Sequence, residues 1–167
     1  MAFTVRPADV EEETHGDPRA VAEENARRKA ATVAPGAGSS LVLGADTDVA
    51  LDGEILGKPR DAEQAREFVA RLACRAHEVV GGIALARDGV VAKTAVEVTT
   101  VRFRPASPAL LDWYVATGEW RGRAGGYAIQ GAGAALVAAI EGDYLNVVGL
   151  PLARLLDLAP ELLPTSS

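Results

Sequence analysis

Asp46 and Asp48 stand two residues apart in LVLGADTDVAL (residues 41–51), a run that is otherwise apolar or β-favouring. Asp is scarce inside strands, and the alternation of a strand puts both carboxylates on one face with Thr47 opposite. Desolvating two like charges is costly unless a cation, a proton or hydrogen bonds compensate. The spacing therefore predicts a site where carboxylates meet a cation or handle a proton. Complementary groups occur elsewhere. GKP (57–59) sets Lys58 on a rigid turn, and EEE (11–13) places acids in a loop before a helix. GGYAIQG (125–131) holds Tyr127 and Gln130 among glycines that let backbone approach a ligand. EGDYLNVVGLP (141–151) is a polar turn between apolar segments. Each also has a plain structural reading. Asp46 could cap a strand end, Asp48 could meet solvent, Lys58 could be a solvated turn residue, and Gln130 could simply bond backbone. His77 reads as a satisfied residue at a strand start, and Cys74 as an inert residue at a helix end.

These groups need elements to hold them. FTVRP (3–7) predicts a short opening strand. Asp17 caps a helix whose first residue is Pro18 and which runs to about Val33. Its apolar stripe is Ala22, Ala26, Ala30 and Val33, and Lys29 falls on that stripe, from which it could snorkel outward. The strand at 41–51 turns back at LDGE as a hairpin. Asp61 and Gln64 make a capping-box pattern for a second helix that buries Phe68, Val69 and Leu72. HEVVGGIALARDGVVAKTAVEVTTVRF predicts two or three strands with a tight turn at Asp88-Gly89. Ser107 caps a third helix, with Pro108 first and Leu110, Leu111, Tyr114 and Val115 inward. ALVAAI predicts a further strand, a short Leu-rich helix follows, and PTSS should be frayed. Interleaved strands and helices with inserted hairpins predict one α/β or α+β domain, a mixed, twisted sheet flanked by helices.

The 167 residues suffice for a single domain with a real core. No apolar run reaches membrane-spanning length and no basic-then-apolar leader opens the chain, so a cytoplasmic protein with no membrane partner is expected. A net charge of −6 argues against a broad nucleic-acid-binding face. One cysteine and two histidines disfavour a soft-ligand metal site. Any metal should be a hard cation held by carboxylates.

Taken together, GADTDVALDGEILGKPRD, AHEVVGGIAL, EVTTVRFRP, ATGEW, AGGYAIQG and EGDYLNVVGLPL resemble, in this order and spacing, the motifs of the Maf family of nucleoside triphosphate pyrophosphatases. The resemblance covers nearly the whole chain. It implies a mixed-sheet fold similar to that of the inosine triphosphate pyrophosphatases. It also implies hydrolysis of a nucleoside triphosphate to the monophosphate and pyrophosphate with Mg²⁺ or Mn²⁺, and a homodimer. By the resemblance Asp46 is the catalytic acid, acting as proton acceptor. Lys29, Lys58 and Glu12 match polar positions of the pocket, the lysines meeting phosphate and Glu12 the metal together with Asp46. Asp48, where relatives usually carry an apolar residue, is an additional candidate ligand. Thr47 and Gln130 match positions that set base choice, in the form of the dTTP/UTP branch. A Gln amide donates and accepts side by side, so it suits the O4 acceptor and N3–H donor of uracil or thymine. The family's opening strand and Ser-x-Ser-Pro-Arg-Arg loop have no counterpart in the domain read here over 1–167, so weak, salt-sensitive binding of the triphosphate is expected. The alternative reading is a catalytically impaired nucleotide-binding or regulatory protein linked to cell division.

Overall fold

The computed structural model describes residues 3–163. Helix α1 (Pro18–Val33) is followed by strands β1 (Val42–Leu51) and β2 (Glu54–Leu56), then helix α2 (Ala62–Leu72). Strands β3 (Ala76–Arg87) and β4 (Val90–Phe103) come next, then helix α3 (Pro108–Thr117). Strand β5 (Val137–Glu141) and the short helices α4 (Tyr144–Val148) and α5 (Leu152–Leu158) close the chain. The strands form one sheet in the order β2-β1-β3-β4-β5.

The α+β class is the one expected, but every described pairing is antiparallel, so the sheet is not mixed. The reason is local. Two-residue turns at Asp52-Gly53 and Asp88-Gly89, all four residues at positive φ, fold β1 onto β2 and β3 onto β4. The predicted opening strand is also corrected. Residues 3–14 carry no regular structure, and Phe3 and Val5 are exposed. That segment is held instead through Arg6, which donates to the Gly36 carbonyl at 2.8 Å. PTSS lies outside the described residues.

The helix caps follow the sequence. Asp17 accepts from the Arg19 and Ala20 amides, and Ser107 from the Leu110 amide. Asp61 accepts from the Gln64 amide at 2.8 Å, while the Gln64 side chain accepts from the Arg60 amide. The largest core cluster joins Phe68, Val69 and Leu72 of α2 to Leu111 and Tyr114 of α3, with Trp120, Tyr127 and Leu136.

The contact that matters for the site is α1 on the sheet. Ala22, Ala26 and Ala30 are fully buried, over glycines of the two neighbouring strands. A Cβ at Gly44 would lie 2.3 Å from the Ala26 carbonyl oxygen, and one at Gly82 would lie 2.1 Å from that of Ala22. Helix backbone thus rests on strand backbone, closer than larger residues permit. Gly82 is also the residue paired with Asp46 across β1 and β3.

Candidate active site

Residues 42–48 of β1 pair with β3 on one side, while β2 pairs only with residues 49–51. Among the described residues the outer edge of 42–48 therefore has no strand partner. A cleft of about 650 Å³ straddles that edge, lined by Lys29, Asp46, Thr47, Lys58, Arg121, Arg123, Tyr127 and Gln130. Asp46 and Thr47, on opposite faces of β1, reach it from the two sides.

Asp46 is buried and fully engaged. Its Oδ1 lies 2.5 Å from the Lys29 ammonium, and its Oδ2 accepts from the Asn25 side-chain amide at 3.1 Å. Lys29 and Asn25 are one turn apart on α1, so the close seat of that helix delivers both to the same carboxylate. Asn25 is itself locked by the backbone of Glu13, whose amide donates to its Oδ1 at 2.8 Å and whose carbonyl accepts from its Nδ2 at 2.9 Å. The acidic loop is thereby pinned beside β1. Its neighbour Glu12 bridges the two lysines, at 2.7 Å from Lys29 and 2.8 Å from Lys58. Burial alone would lower the Lys29 ammonium, but Asp46 and Glu12 outweigh it and hold the charge. Burial likewise pushes Glu12 up, and the two lysines outweigh it and bring the carboxyl below its usual range.

Asp48 shares the buried face but not the cations. Its Oδ2 is buried without a partner. Burial first, then the Asp46 and Glu12 carboxylates, push it up to about 7. It does not line the cleft. Thr47 makes one long contact, 3.5 Å to the Gly149 carbonyl, from the turn after α4. Gln130 lies in the loop after Tyr127, next to Gly131, against which the Glu119 carboxylate packs. The structure thus brings Lys29, Asp46, Thr47, Lys58 and Gln130 to one cleft, with Glu12 tied to its lysines and Asp48 behind it.

Sequence reasoning missed Asn25, although an asparagine four residues before Lys29 beside an alanine stripe was a usable signal. It also missed Arg121 and Arg123 in EWRGRAGG, where glycines drew attention from the arginines. His77 is the satisfied residue expected on one side only: its Nε2 meets the Tyr127 hydroxyl at 2.9 Å, while Nδ1 is buried without a partner.

Among the described residues no three His, Cys, Asp or Glu side chains converge as a metal cage. Glu12 and Asp46 are hard oxygen donors that share a cation in Lys29. Such a donor set fits a divalent ion of the kind held by one or two carboxylates with substrate phosphates completing its shell. No described helix is long and apolar enough to cross a membrane.

The family profile described as Maf-like protein matches residues 1–162. A protein of Anaeromyxobacter sp. (strain Fw109-5) named dTTP/UTP pyrophosphatase is 50% identical over 164 residues, covering 95% of this chain and 78% of the relative. Proteins of the same name from Pyrococcus furiosus and Symbiobacterium thermophilum are 44% and 48% identical, each covering 92% of this chain. The matches span 82% and 80% of those two relatives.

Proposed function

The chain belongs to the Maf-like family, and on that premise we propose that its cleft hydrolyses dTTP and UTP to the nucleoside monophosphate and pyrophosphate. The observation that carries the reading is the meeting of a cation-held carboxylate with a donor–acceptor amide in a single cleft, Asp46 and Lys29 with Gln130. Asp46 orients a water toward the α-phosphorus and accepts its proton as the new P–O bond forms. The bond to the bridging oxygen breaks, and pyrophosphate carries away the electron pair. Lys29 keeps Asp46 in place and offers charge to the phosphate beside it. Lys58, half exposed at the cleft wall, leaves Glu12 for a phosphate oxygen. Gln130 reads the O4 and N3–H edge of the pyrimidine, with Thr47 bounding the base. A site built to pair with these groups rejects a base that leaves them unpaired. Glu12 and Asp46 would hold a divalent cation, Mg²⁺ or Mn²⁺, whose chemistry is to neutralise phosphate charge. The protein acts in the cytoplasm as a homodimer on a free nucleotide, with neither membrane nor nucleic acid as partner.

Asp46→Asn tests this. The amide is nearly isosteric but cannot take the proton, so pyrophosphate release from dTTP and UTP should fall about 10²–10⁴-fold with the melting curve little changed. Wild-type turnover in the variant would remove Asp46 from the mechanism. A wild-type protein that binds these nucleotides without releasing pyrophosphate would leave the binding or regulatory reading in its place.

A further inference from the structure

The segment after α3 carries two arginines with no role so far. Arg121 and Arg123 both line the cleft. Among the described residues neither has a carboxylate within 4.0 Å, whereas Lys29 and Lys58 are both committed to acids. In a molecule of net charge −6, two unpaired guanidinium groups on one cavity wall are a placed charge.

The placement is built. Trp120 is buried and donates through Nε1 to the Val115 carbonyl at 3.1 Å, which fixes the start of the turn. The Arg121 guanidinium lies 4.8 Å from the Trp120 ring centre, a cation–π seat. Its Nη1 fills the space a side chain at residue 118 would take, 2.1 Å from the Cβ position of Gly118. The far end of the turn is bound to the sheet. The Gly125 amide donates to the Gly57 carbonyl at 3.1 Å, immediately before Lys58. A Cβ at Gly125 would sit 2.8 Å from Val49 of β1. Both arginines are thus carried on a turn tethered to the strand that bears Asp46 and to the turn that bears Lys58.

We propose that Arg121 and Arg123 form a diphosphate-binding wall of this cleft, holding the β- and γ-phosphates that leave as pyrophosphate. The inference rests on the pyrophosphatase reading for its ligand. Under it the α-phosphorus lies beside Asp46 and Lys29, whose charges already answer one another. The greater charge of the substrate resides on the two outer phosphates. Guanidinium forks match phosphate oxygens in pairs, and these two are the cleft cations with no acid to give up first. They also stabilise the charge that builds on the leaving group as its bond to the α-phosphorus breaks.

The test compares the wild type with Arg121→Gln, Arg123→Gln and the double variant. Arg87→Gln, whose parent residue is near Glu161 at the far end of β3, serves as control. Binding of inorganic pyrophosphate and of dTMP is measured by calorimetry, beside steady-state hydrolysis of dTTP and a melting curve for each protein. Each single variant should weaken pyrophosphate binding about 10-fold, and the double variant about 100-fold, for lost charge-assisted hydrogen bonds. Affinity for dTMP should stay within about 2-fold, and kcat/KM for dTTP should fall in parallel with pyrophosphate affinity. Unchanged pyrophosphate binding in the double variant overturns the proposal, as does equal weakening of dTMP, or a wild type that binds no pyrophosphate. If the wild type hydrolyses neither dTTP nor UTP yet binds pyrophosphate through these arginines, the pyrophosphatase reading falls while the diphosphate wall stands.

Discussion

Asp46 and Asp48 show how two identical side chains on one strand face take opposite characters from their neighbours. Lys29 and Asn25 engage both oxygens of Asp46, whereas Asp48 is buried with Oδ2 unpartnered and its carboxyl pushed up to about 7, by burial first and then by Asp46 and Glu12. A carboxyl raised above its unfolded value binds a proton more tightly in the folded state. Asp48 therefore costs nothing below its unfolded value near 4 and progressively destabilises the fold as pH rises toward 7, where the cost is complete. Asp48→Asn should match the wild type in stability at about pH 4 and exceed it by roughly 2–4 kcal/mol at about pH 8. Denaturant melts of both proteins across that range read the difference directly, and a gap that stays constant with pH would show that the Asp48 carboxyl is not raised in the folded state. The shared face of the two acids was legible in the sequence because strand alternation is local. Which acid finds the cation was not, because Lys29 and Asn25 arrive from a helix that lies 17 and 21 residues earlier in the chain.

At the scale of elements, the site depends on how closely α1 approaches the sheet. The cap at Asp17 and the alanine stripe could be read directly, since both are patterns within one segment. The glycines that receive the stripe, Gly44 and Gly82, belong to two different strands, and no periodicity announces that they face the same helix. The antiparallel sheet was likewise only half legible: Asp52-Gly53 and Asp88-Gly89 signal hairpins, but the pairing of β1 with β3 follows a helix and has no local mark. Gly82→Ala tests the dependence. Its methyl would meet the Ala22 carbonyl at 2.1 Å, so α1 must lift, at a cost of about 1–3 kcal/mol for overpacking. Because Lys29 and Asn25 ride on that helix, pyrophosphate release should fall by about 10²-fold, far more than the stability loss accounts for at a temperature where the variant is folded. A variant that melts lower but turns over dTTP at the wild-type rate would uncouple the helix seat from the site.

Over the whole molecule, the core and the cleft share a wall: Val49, Val79, Tyr127 and Ile129 belong to the large cluster and also line the cleft. Of that cluster, Phe68, Val69 and Leu72 of α2 and Leu111 and Tyr114 of α3 were recognisable as helix faces. The cleft straddles the edge of residues 42–48, which has no strand partner among the described residues, and a missing neighbour leaves no trace in a hydrophobic pattern. That free edge of residues 42–48 has a kinetic signature. Along an antiparallel edge strand every second amide bonds inward, here to β3, and those between point outward. No loop backbone covers the outward ones among the described residues. In deuterated solvent the seven amides should therefore exchange in alternation, slow and fast, rather than as one protected block. The fast set borders the cleft, so a nucleotide seated there should slow it while the inward set keeps its rate. Residue-resolved exchange by NMR, with and without dTTP, reads this pattern. Uniform slowness in the free protein would mean that another chain already closes the edge. The same row of amides would then record, by its rhythm alone, whether the cleft is empty, filled or capped.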